Sequence, residues 1–307
     1  MNSIECFKIR LWSSPLDVFF DLNNKESKEI LTISYDKDSK RNPIIIVADP
    51  FLFIHQNELY LFYEEKHLYT PGVIRMMKTT DLKDWSKPVT VLQETFHLSY
   101  PYVFEHEGDV FMIPETCNVG EVRLYKADNE KLTNFSQNCV LLEHSQKDNH
   151  ITIDYSDSSV FIKDGKYFLM TTLEIDGNNS LFLYVADRLR GPYKEHPFSP
   201  ICKSNKYGRN AGSLIQNYGK LFRVAQDCEK RYGDNVHIFE ITEMSKSSYK
   251  EVIVCNDIFD SSIPFYKHGG HQFNMVEFNG KQIIATDAKG YHYFFKTRVK
   301  NKLSLFK

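Results

Sequence analysis

The sequence lacks the segments that mark membrane and secreted proteins. It has no run of about 18 apolar residues that could cross a bilayer as a helix. Residues 1–14 (MNSIECFKIRLWSS) contain no cationic head followed by a long apolar core, so we expect no signal peptide and a cytoplasmic protein. A net charge of −2 gives no electrostatic reason to expect nucleic acid as a partner. We predict no transmembrane segment, and peripheral association with a membrane stays open.

Motifs that bind cofactors are also scarce. The six cysteines form no Cys-x-x-Cys pair and show no Cys/His metal spacing, so we expect reduced thiols. No glycine-rich phosphate loop occurs in either standard form. Asp36-Lys37-Asp38 resembles the DxD motif of nucleotide-sugar transferases, but the sequence lacks the α/β domain that holds that motif. We therefore interpret this tripeptide as a solvated turn.

What the chain does contain is a fivefold repeat. Each unit has a first apolar run, a turn residue eight positions from its start, and a second apolar run, which is the pattern of a β-hairpin. The units are residues 49–64, 100–115, 157–172, 211–226 and 272–287, with turn residues Asn57, Gly108, Gly165, Gly219 and Gly280. Their starts are separated by 51, 57, 54 and 61 residues, the size of a four-stranded propeller blade.

Further β-type runs complete the units. Third runs lie at residues 73–79, 121–127, 181–186, 236–241 and 291–297, and fourth runs lie at 89–92, 140–142, 252–254 and 303–306. No stretch has sustained helical spacing of apolar residues. The prediction is an all-β fold, a five-bladed β-propeller over residues 42–307. Residues 1–41 form an N-terminal segment, in which 7–12 are a candidate strand for closing the ring.

The two ends of each hairpin carry the functional prediction. These ends lie side by side, and the innermost strands of a propeller line its channel, so the end positions form a ring around one mouth. The first positions are Asp49, Tyr100, Asp157, Ala211 and Gln272, and the last are Glu64, Glu115, Thr172, Gln226 and Asp287. Carboxylates crowded in a partly desolvated funnel raise one another's pKa, which suits acid/base chemistry, cation binding or sugar hydroxyls.

The catalytic candidates are Asp49, Asp157, Glu115 and His271, and each also has a structural interpretation. Asp49 and Asp157 could be turn formers, since aspartate favours turns. Glu115 could belong to a buried ion pair. His271, in Gly-Gly-His, could be a packed core histidine, a metal ligand or a proton donor.

Substrate-binding candidates surround the acids. Arg209 and Arg223 could neutralise the acids or grip a phosphate with two hydrogen bonds. Tyr100 and Tyr232 offer flat faces on which sugars stack. The full set is Glu64, Glu65, Tyr100, Arg209, Arg223, Gln226, Asp227, Tyr232 and Asn274. No residue is assigned as a metal ligand, and a divalent cation in the channel stays open.

The first-blade segment ADPFLF at residues 48–53 resembles the five-bladed glycoside hydrolases of families 43, 32 and 62. That resemblance implies Asp49 as general base and Asp157 as the residue that tunes its pKa. The general acid that those enzymes carry in blade four is missing, because residues 209–212 read Arg-Asn-Ala-Gly. Since inverting hydrolysis needs a proton donor on the leaving oxygen, simple hydrolysis by that scheme is in doubt.

A broader resemblance covers residues 42–287. The segments VADPFLF, FYEE, FHLSYPYVFE, MIPET, RNAGS, RVAQDC and GGHQFN are similar, in this order, to the propeller at the N-terminal side of the glucosamine inositolphosphorylceramide transferases. Stand-alone bacterial relatives of that propeller are associated with surface polysaccharides. In the plant proteins a separate transferase domain accompanies the propeller. Matched position by position, the resemblance selects the same catalytic and substrate-binding candidates.

We therefore expect a carbohydrate-active enzyme of glycan assembly. It would be a glycosyltransferase that moves a sugar from a phosphate-activated donor to a glycan or glycolipid acceptor in bacterial surface polysaccharide synthesis. Arg209 and Arg223 would hold the phosphate, Asp49 would act as base, and His271 or Tyr232 would assist the leaving group. The alternatives are a glycoside hydrolase acting on furanosides and a non-catalytic glycan-binding module.

Overall fold

The protein is built almost entirely of strands in five antiparallel sheets arranged as a five-bladed β-propeller, as predicted. The computed structural model describes residues 2–18, 20–36, 42–143 and 154–294. Lys37 and Asp38 of the DxD-like tripeptide, and the predicted runs at 295–297 and 303–306, lie outside the described residues. Within the described ranges, the one helical element is the 3-10 turn Cys117–Val119, so no helix is long and apolar enough to cross a membrane.

The N-terminal segment supplies two strands, β1 (Asn2–Ser14) and β2 (Lys28–Ile33). Blade one comprises β3 (Ile44–His55), β4 (Glu58–His67), β5 (Val73–Thr79) and β6 (Val89–Leu92). Blade two comprises β7 (Ser99–His106), β8 (Asp109–Glu115), β9 (Glu121–Ala127) and β10 (Phe135–Glu143). Blade three comprises β11 (Ser156–Lys163), β12 (Lys166–Ile175), β13 (Asn178–Ala186), and the short β14 (Lys194–Glu195) and β15 (Cys202–Lys203).

Blade four comprises β16 (Arg209–Asn210), β17 (Ile215–Asn217), β18 (Lys220–Asp227), β19 (Asn235–Met244) and β20 (Tyr249–Cys255). Blade five is closed by both ends of the chain. Its strand order is β2, β1, β22 (Lys281–Phe294) and β21 (Phe273–Phe278), and β1 pairs with β22 along its whole length.

Blade five therefore corrects one prediction from the sequence. Residues 291–294 are not a third strand, because no turn precedes them and β22 continues to Phe294. The third and fourth strands of this blade are β1 and β2, from the N-terminus. A pattern read along the chain could not show this, since the partner strand lies at the other end of the sequence.

The apolar core lies between the blades. Four clusters of buried side chains occupy the spaces between blades one to three, three and four, four and five, and five and one. In one such space, Phe62 of blade one meets Phe135 of blade two edge to face, with ring centroids 6.0 Å apart. Each blade buries its apolar faces only against its neighbours, so the ring should unfold as one unit.

The starts of the first three hairpins share an irregularity. Asp49, Tyr100 and Asp157 have φ angles of 51°, 46° and 52°, and the strand register shifts at each of these positions. Such β-bulges redirect a side chain, and non-glycine residues in the left-handed region are strained conformations that cluster at functional sites. The bulges give these three positions the same backbone geometry at the same end of the channel.

Candidate functional site

A buried cluster of acids lies where the hairpins start. Asp49 and Asp157 are each 6% exposed. The Tyr100 amide donates a hydrogen bond to Asp49 Oδ2 (3.0 Å), and the Asp157 amide donates to Glu115 Oε2 (3.2 Å). The Asp49 amide donates to Asp287 Oδ2 (3.3 Å). The ring of end positions predicted from the sequence therefore exists as a set of contacts between neighbouring blades.

These contacts also hold the blades together. At the junction of blades three and four, the Asn210 amide donates to Thr172 Oγ1 (3.2 Å), which repeats the pattern seen at Glu115 and Asp287. The last residue of one hairpin accepts a hydrogen bond from the start of the next blade. Glu115 and Asp287 thus have a structural role beside any chemical one.

His271 connects two of the acids. Its Nδ1 lies 2.5 Å from Asp287 Oδ2 and its Nε2 lies 3.5 Å from Asp49 Oδ1. The His271 amide donates to Asp287 Oδ1 (2.8 Å), and the Phe7 ring of β1 stacks on the imidazole with centroids 4.5 Å apart. An imidazole with a carboxylate at each nitrogen is placed to hold a proton on both.

The titration behaviour of the cluster follows from burial and crowding. Burial raises the pKa of Asp49 to about 6, although His271 acts against the rise. Burial also raises the pKa of Asp157 well above its usual range, against the opposing effect of Arg209. Burial alone would lower the pKa of His271, but Asp287 and Asp49 outweigh it, so the pKa lies above 6.5. The site therefore pairs an Asp49 that titrates near pH 6 with a His271 whose protonated form is favoured by the neighbouring carboxylates.

Arg209 and Tyr232 form the more open side of the cluster. Arg209 Nε lies 2.6 Å from Asp157 Oδ2, and its Nη2 lies 3.6 Å from Glu115 Oε2. The guanidinium carbon lies 5.3 Å from the centroid of the Tyr232 ring, which is in turn 5.2 Å from the His271 ring. Tyr232 is 41% exposed, so its ring can meet a ligand that enters over the acids.

Arg223 is not part of this cluster, and the prediction that it helps to hold a phosphate is wrong. Its guanidinium is buried and bonded to both Glu251 oxygens (2.7 and 2.5 Å) and to the Tyr207 carbonyl (3.0 Å). The side chain extends toward the outer strand β20, where its hydrogen-bonding groups are already used. Arg223 was assigned to the site because it is close to Gln226 in the sequence. The two residues are three positions apart on one strand, so their side chains point to opposite faces.

Four other substrate-binding candidates have partners of their own. Glu65 lies near Arg75 and His67 (3.6 and 3.7 Å), because it is one residue out of phase with Glu64. Asp227 lies 3.2 Å from His237 Nε2.

The other two candidates lie within the ring, but their polar groups bond to the protein. Asn274 accepts from the Leu52 amide (2.9 Å) and donates to Ser213 (2.6 Å). The Tyr100 hydroxyl bonds to the backbone of Gly212 (2.7 Å to its oxygen), linking blades two and four across the channel. These contacts make both residues structural supports of the site.

Two buried amides in the ring lack an acceptor within the described ranges. Gln226 and Gln272 are each 1% exposed, and their Nε2 atoms have no hydrogen-bond acceptor among the described residues. A buried donor without an acceptor is costly, so sugar hydroxyls are suitable partners. Gln226 was predicted as a site residue, whereas Gln272 and Asp287 were only ring positions. Phe7 was predicted only as the first residue of the candidate ring-closing strand, with no role at the site.

Two groups of described residues each bring three possible metal-ligand atoms within 4.8 Å of one another. The first group is Asp49, His271 and Asp287, and the second is Asp227, His237 and Asp257. In the first group both imidazole nitrogens face a carboxylate. In the second group His237 Nδ1 accepts the Asp257 amide (3.2 Å) while Nε2 faces Asp227. Because His237 Nδ1 is an acceptor, its Nε2 carries the ring proton and faces Asp227, so the second group fits proton sharing better than metal binding.

Comparison with known proteins supports the family predicted from the sequence. Residues 27–288 match the family described as glucosamine inositolphosphorylceramide transferase 1, N-terminal. The protein named glucosamine inositolphosphorylceramide transferase 1 from Oryza sativa subsp. japonica is 36% identical over 220 residues, which is 69% of this chain and 28% of the relative. The Arabidopsis thaliana protein of the same name is 31% identical over the same shares of the two chains. The chain thus spans 28% of the length of these relatives.

The fold is also similar to that of solved propeller enzymes. A thermostable family-43 glycoside hydrolase has a TM-score of 0.58 and 15% identity, over 82% of this chain and 86% of that one. The resemblance to family-43 enzymes predicted from the sequence is confirmed for the fold. At this identity the likeness carries no information about the reaction.

Proposed function

The chain belongs to the family of the N-terminal region of glucosamine inositolphosphorylceramide transferase 1, and on that premise we propose that it transfers a sugar in glycan assembly. The donor would be a phosphate-activated sugar and the acceptor a hydroxyl of a glycan or glycolipid. The observation that carries the proposal is the contact between Asp49, with a pKa raised to about 6, and the His271 imidazole. A base with this pKa is mostly ionised at neutral pH and still accepts a proton readily.

In the proposed reaction Asp49 takes the proton of the acceptor hydroxyl. His271 holds Asp49 in place and stabilises its charge, while Asp287 fixes the imidazole from behind. This role replaces the earlier expectation that His271 assists the leaving group, because its Nε2 points to Asp49. The amides of Gln226 and Gln272 bind sugar hydroxyls.

Arg209 is the cation that can meet a donor phosphate. It is paired with Asp157 and lies under the exposed Tyr232 ring, so a phosphate entering past Tyr232 would compete with that carboxylate. The acids around it would repel the phosphate from the floor of the site. The sugar would therefore lie over Asp49 with its phosphate toward the mouth. We place the reaction in the cytoplasm, in the synthesis of bacterial surface polysaccharide.

A glycan-binding module without turnover is the second candidate. The observation that favours it is the hydrogen bonding between blades, in which Asp49, Glu115 and Asp287 each accept a backbone amide. This structural role alone would account for the three carboxylates. In this case the funnel would bind a sugar through Tyr232, Gln226 and Gln272 and leave it unchanged.

The experiment that separates these candidates is a donor panel analysed by mass spectrometry. The relatives' name contains glucosamine, so the panel begins with nucleotide-linked and lipid-linked glucosamine and includes 4-nitrophenyl glucosaminides, arabinofuranosides and fructosides. The proposal expects a new glycoside that depends on an added acceptor and disappears with Asp49→Asn. Release of free sugar from the neutral glycosides alone would indicate a hydrolase. Saturable binding without any product would indicate a binding module.

A further inference from the structure

Glu64 is the last residue of the first hairpin and lies beside Asp49. The strand register pairs Glu64 with Ala48, the residue that precedes Asp49. Glu64 is 4% exposed, and its Oε1 forms no well-aligned hydrogen bond in the described part of the chain. A buried carboxyl that is not fully hydrogen-bonded, beside the proposed base, is an arrangement that a purely structural glutamate does not need.

His97, in the loop before β7, lies against this oxygen. Its Nε2 is 3.3 Å from Glu64 Oε1, and its Nδ1 accepts the amide of Gly72 (2.9 Å). Because Nδ1 is used as an acceptor, the ring proton is on Nε2, which faces Glu64. Burial, the largest effect, lowers the pKa of His97, so the imidazole is neutral. A neutral His97 with its Nε2–H beside Oε1 places a polar donor next to the Glu64 carboxyl.

Burial and the neighbouring carboxylates favour a proton on Glu64, against the opposing effect of Lys66. The charged groups that act on it are Asp49 from β3, Lys66 from β4, Glu115 from β8 and Asp287 from β22. Burial raises the pKa of Glu64 well above its usual range, and Asp49 adds to the rise. Asp49, with a pKa of about 6, is mostly ionised at neutral pH, whereas burial and the neighbouring carboxylates favour the proton on Glu64.

We propose that Glu64 is the proton donor to the leaving oxygen of the sugar donor, with His97 as its positioning residue. This inference rests on the proposed transfer. The bond from the acceptor oxygen to the anomeric carbon forms and the bond from that carbon to the leaving oxygen breaks. The acceptor proton passes to Asp49, and the Glu64 proton passes to the leaving oxygen. Water then restores the proton to Glu64 and removes it from Asp49. The acid absent from blade four is thereby supplied by blade one.

The first test compares leaving groups. With 4-nitrophenyl and phenyl glucosaminides as donors, Glu64→Gln should lose about 10²- to 10⁴-fold in rate with the phenyl donor, which needs the proton. It should lose much less with the 4-nitrophenyl donor, whose leaving group is stable as an anion. Asp49→Asn should lose activity with both. Equal losses of Glu64→Gln with the two donors, or none, would overturn the inference.

The second test needs no turnover. The infrared difference spectrum between wild type and Glu64→Gln at pH 7 should contain the C=O band of a protonated carboxyl. Glu65→Gln, which changes the neighbouring glutamate paired with Arg75, is the matched control and should show no such difference. If the band is missing, Glu64 is not the donor, whatever the function. If the band is present but no donor of the panel reacts, the transfer itself is wrong and the donor role falls with it.

The role of His97 is tested through the pH profile of the transfer. His97→Leu should move the basic limb, which reports Glu64, while His97→Gln, which keeps an N–H donor, should restore it. A change in rate with an unmoved profile would mean that His97 supports only the fold.

Discussion

His271 Nε2 lies 3.5 Å from Asp49 Oδ1, so the start of blade five meets the start of blade one in an ion pair at the closure of the ring. The same closure brings Phe7 from β1 onto the imidazole. Residues from three distant parts of the sequence therefore share one site. A change in the strand pairing that closes the ring should therefore alter activity. A change in the charges of the site should alter the stability of the fold.

Asp49→Asn should stabilise the protein in a manner that depends on pH. The native state holds the Asp49 proton more tightly than the unfolded chain, since the pKa rises from 3.8 to about 6. Stability is therefore lost as the pH rises through this window, and Asn removes the loss. We expect a gain of roughly 3 kcal/mol at pH 7 that falls toward zero below about pH 4, measured by urea unfolding. Asp164→Asn, in an exposed hairpin turn, is the control. A gain that is equal at both pH values would contradict the account.

Arg223 and Arg209 should respond differently to replacement. Arg223→Met leaves Glu251 without its buried partner and should cost about 3–5 kcal/mol of stability, with sugar affinity unchanged.

Arg209→Met should weaken the binding of a sugar 1-phosphate by roughly 2 kcal/mol or more and remove competition by inorganic phosphate. Lys220→Ala, which breaks an exposed pair with Glu240, controls for the loss of charge. The measurements are calorimetric titration and urea unfolding. If inorganic phosphate still competes with the sugar 1-phosphate in Arg209→Met, the anion does not bind at Arg209.

Asp287→Asn should lower the pKa of His271. The change keeps an oxygen that can accept the His271 amide but removes the charge beside Nδ1. The attraction stabilises the fold when the ring is protonated, so it is fully present below about pH 6.5 and is lost as the pH rises through the folded pKa. The destabilisation by Asp287→Asn should therefore be larger at pH 6 than at pH 9. Titration of the ring signals by NMR checks the pKa, and an unchanged value would refute the pairing.

Phe7→Ala should damage both stability and turnover. Phe7 is buried and stacks on His271, so its removal leaves a cavity directly behind the site, with a cost of about 3–5 kcal/mol. Phe7→Leu keeps most of the volume and should recover most of the stability. Thermal unfolding and the donor assay measure the two effects. Full activity of Phe7→Ala at a temperature where it is folded would show that the N-terminal strand only closes the ring.

The sequence was sufficient for the hairpins because their signals are local. Turn residues such as Gly108 and Gly165, flanked by apolar runs, define the strand pairs without help from the rest of the chain. The same register identified Asp49, Glu64 and Asp157 as ring residues.

Side-chain partners could not be predicted in this way. The outward direction of Arg223 depends on Glu251, in another strand, and the environment of Glu64 depends on His97, in a loop outside the repeat. Blade five depends on pairing between the two ends of the chain, which no local pattern reports.

The central claim is that a sugar donor is bound over Asp49, and a crystal soaked with a sugar 1-phosphate tests it most directly. The account predicts the anomeric carbon beside Asp49 and Glu64, hydroxyls bonded to Gln226 and Gln272, and the phosphate next to Arg209 under Tyr232. A sugar bound outside the blade-start ring, or one bound in the ring with its phosphate away from Arg209 and its anomeric carbon away from Asp49, would contradict it.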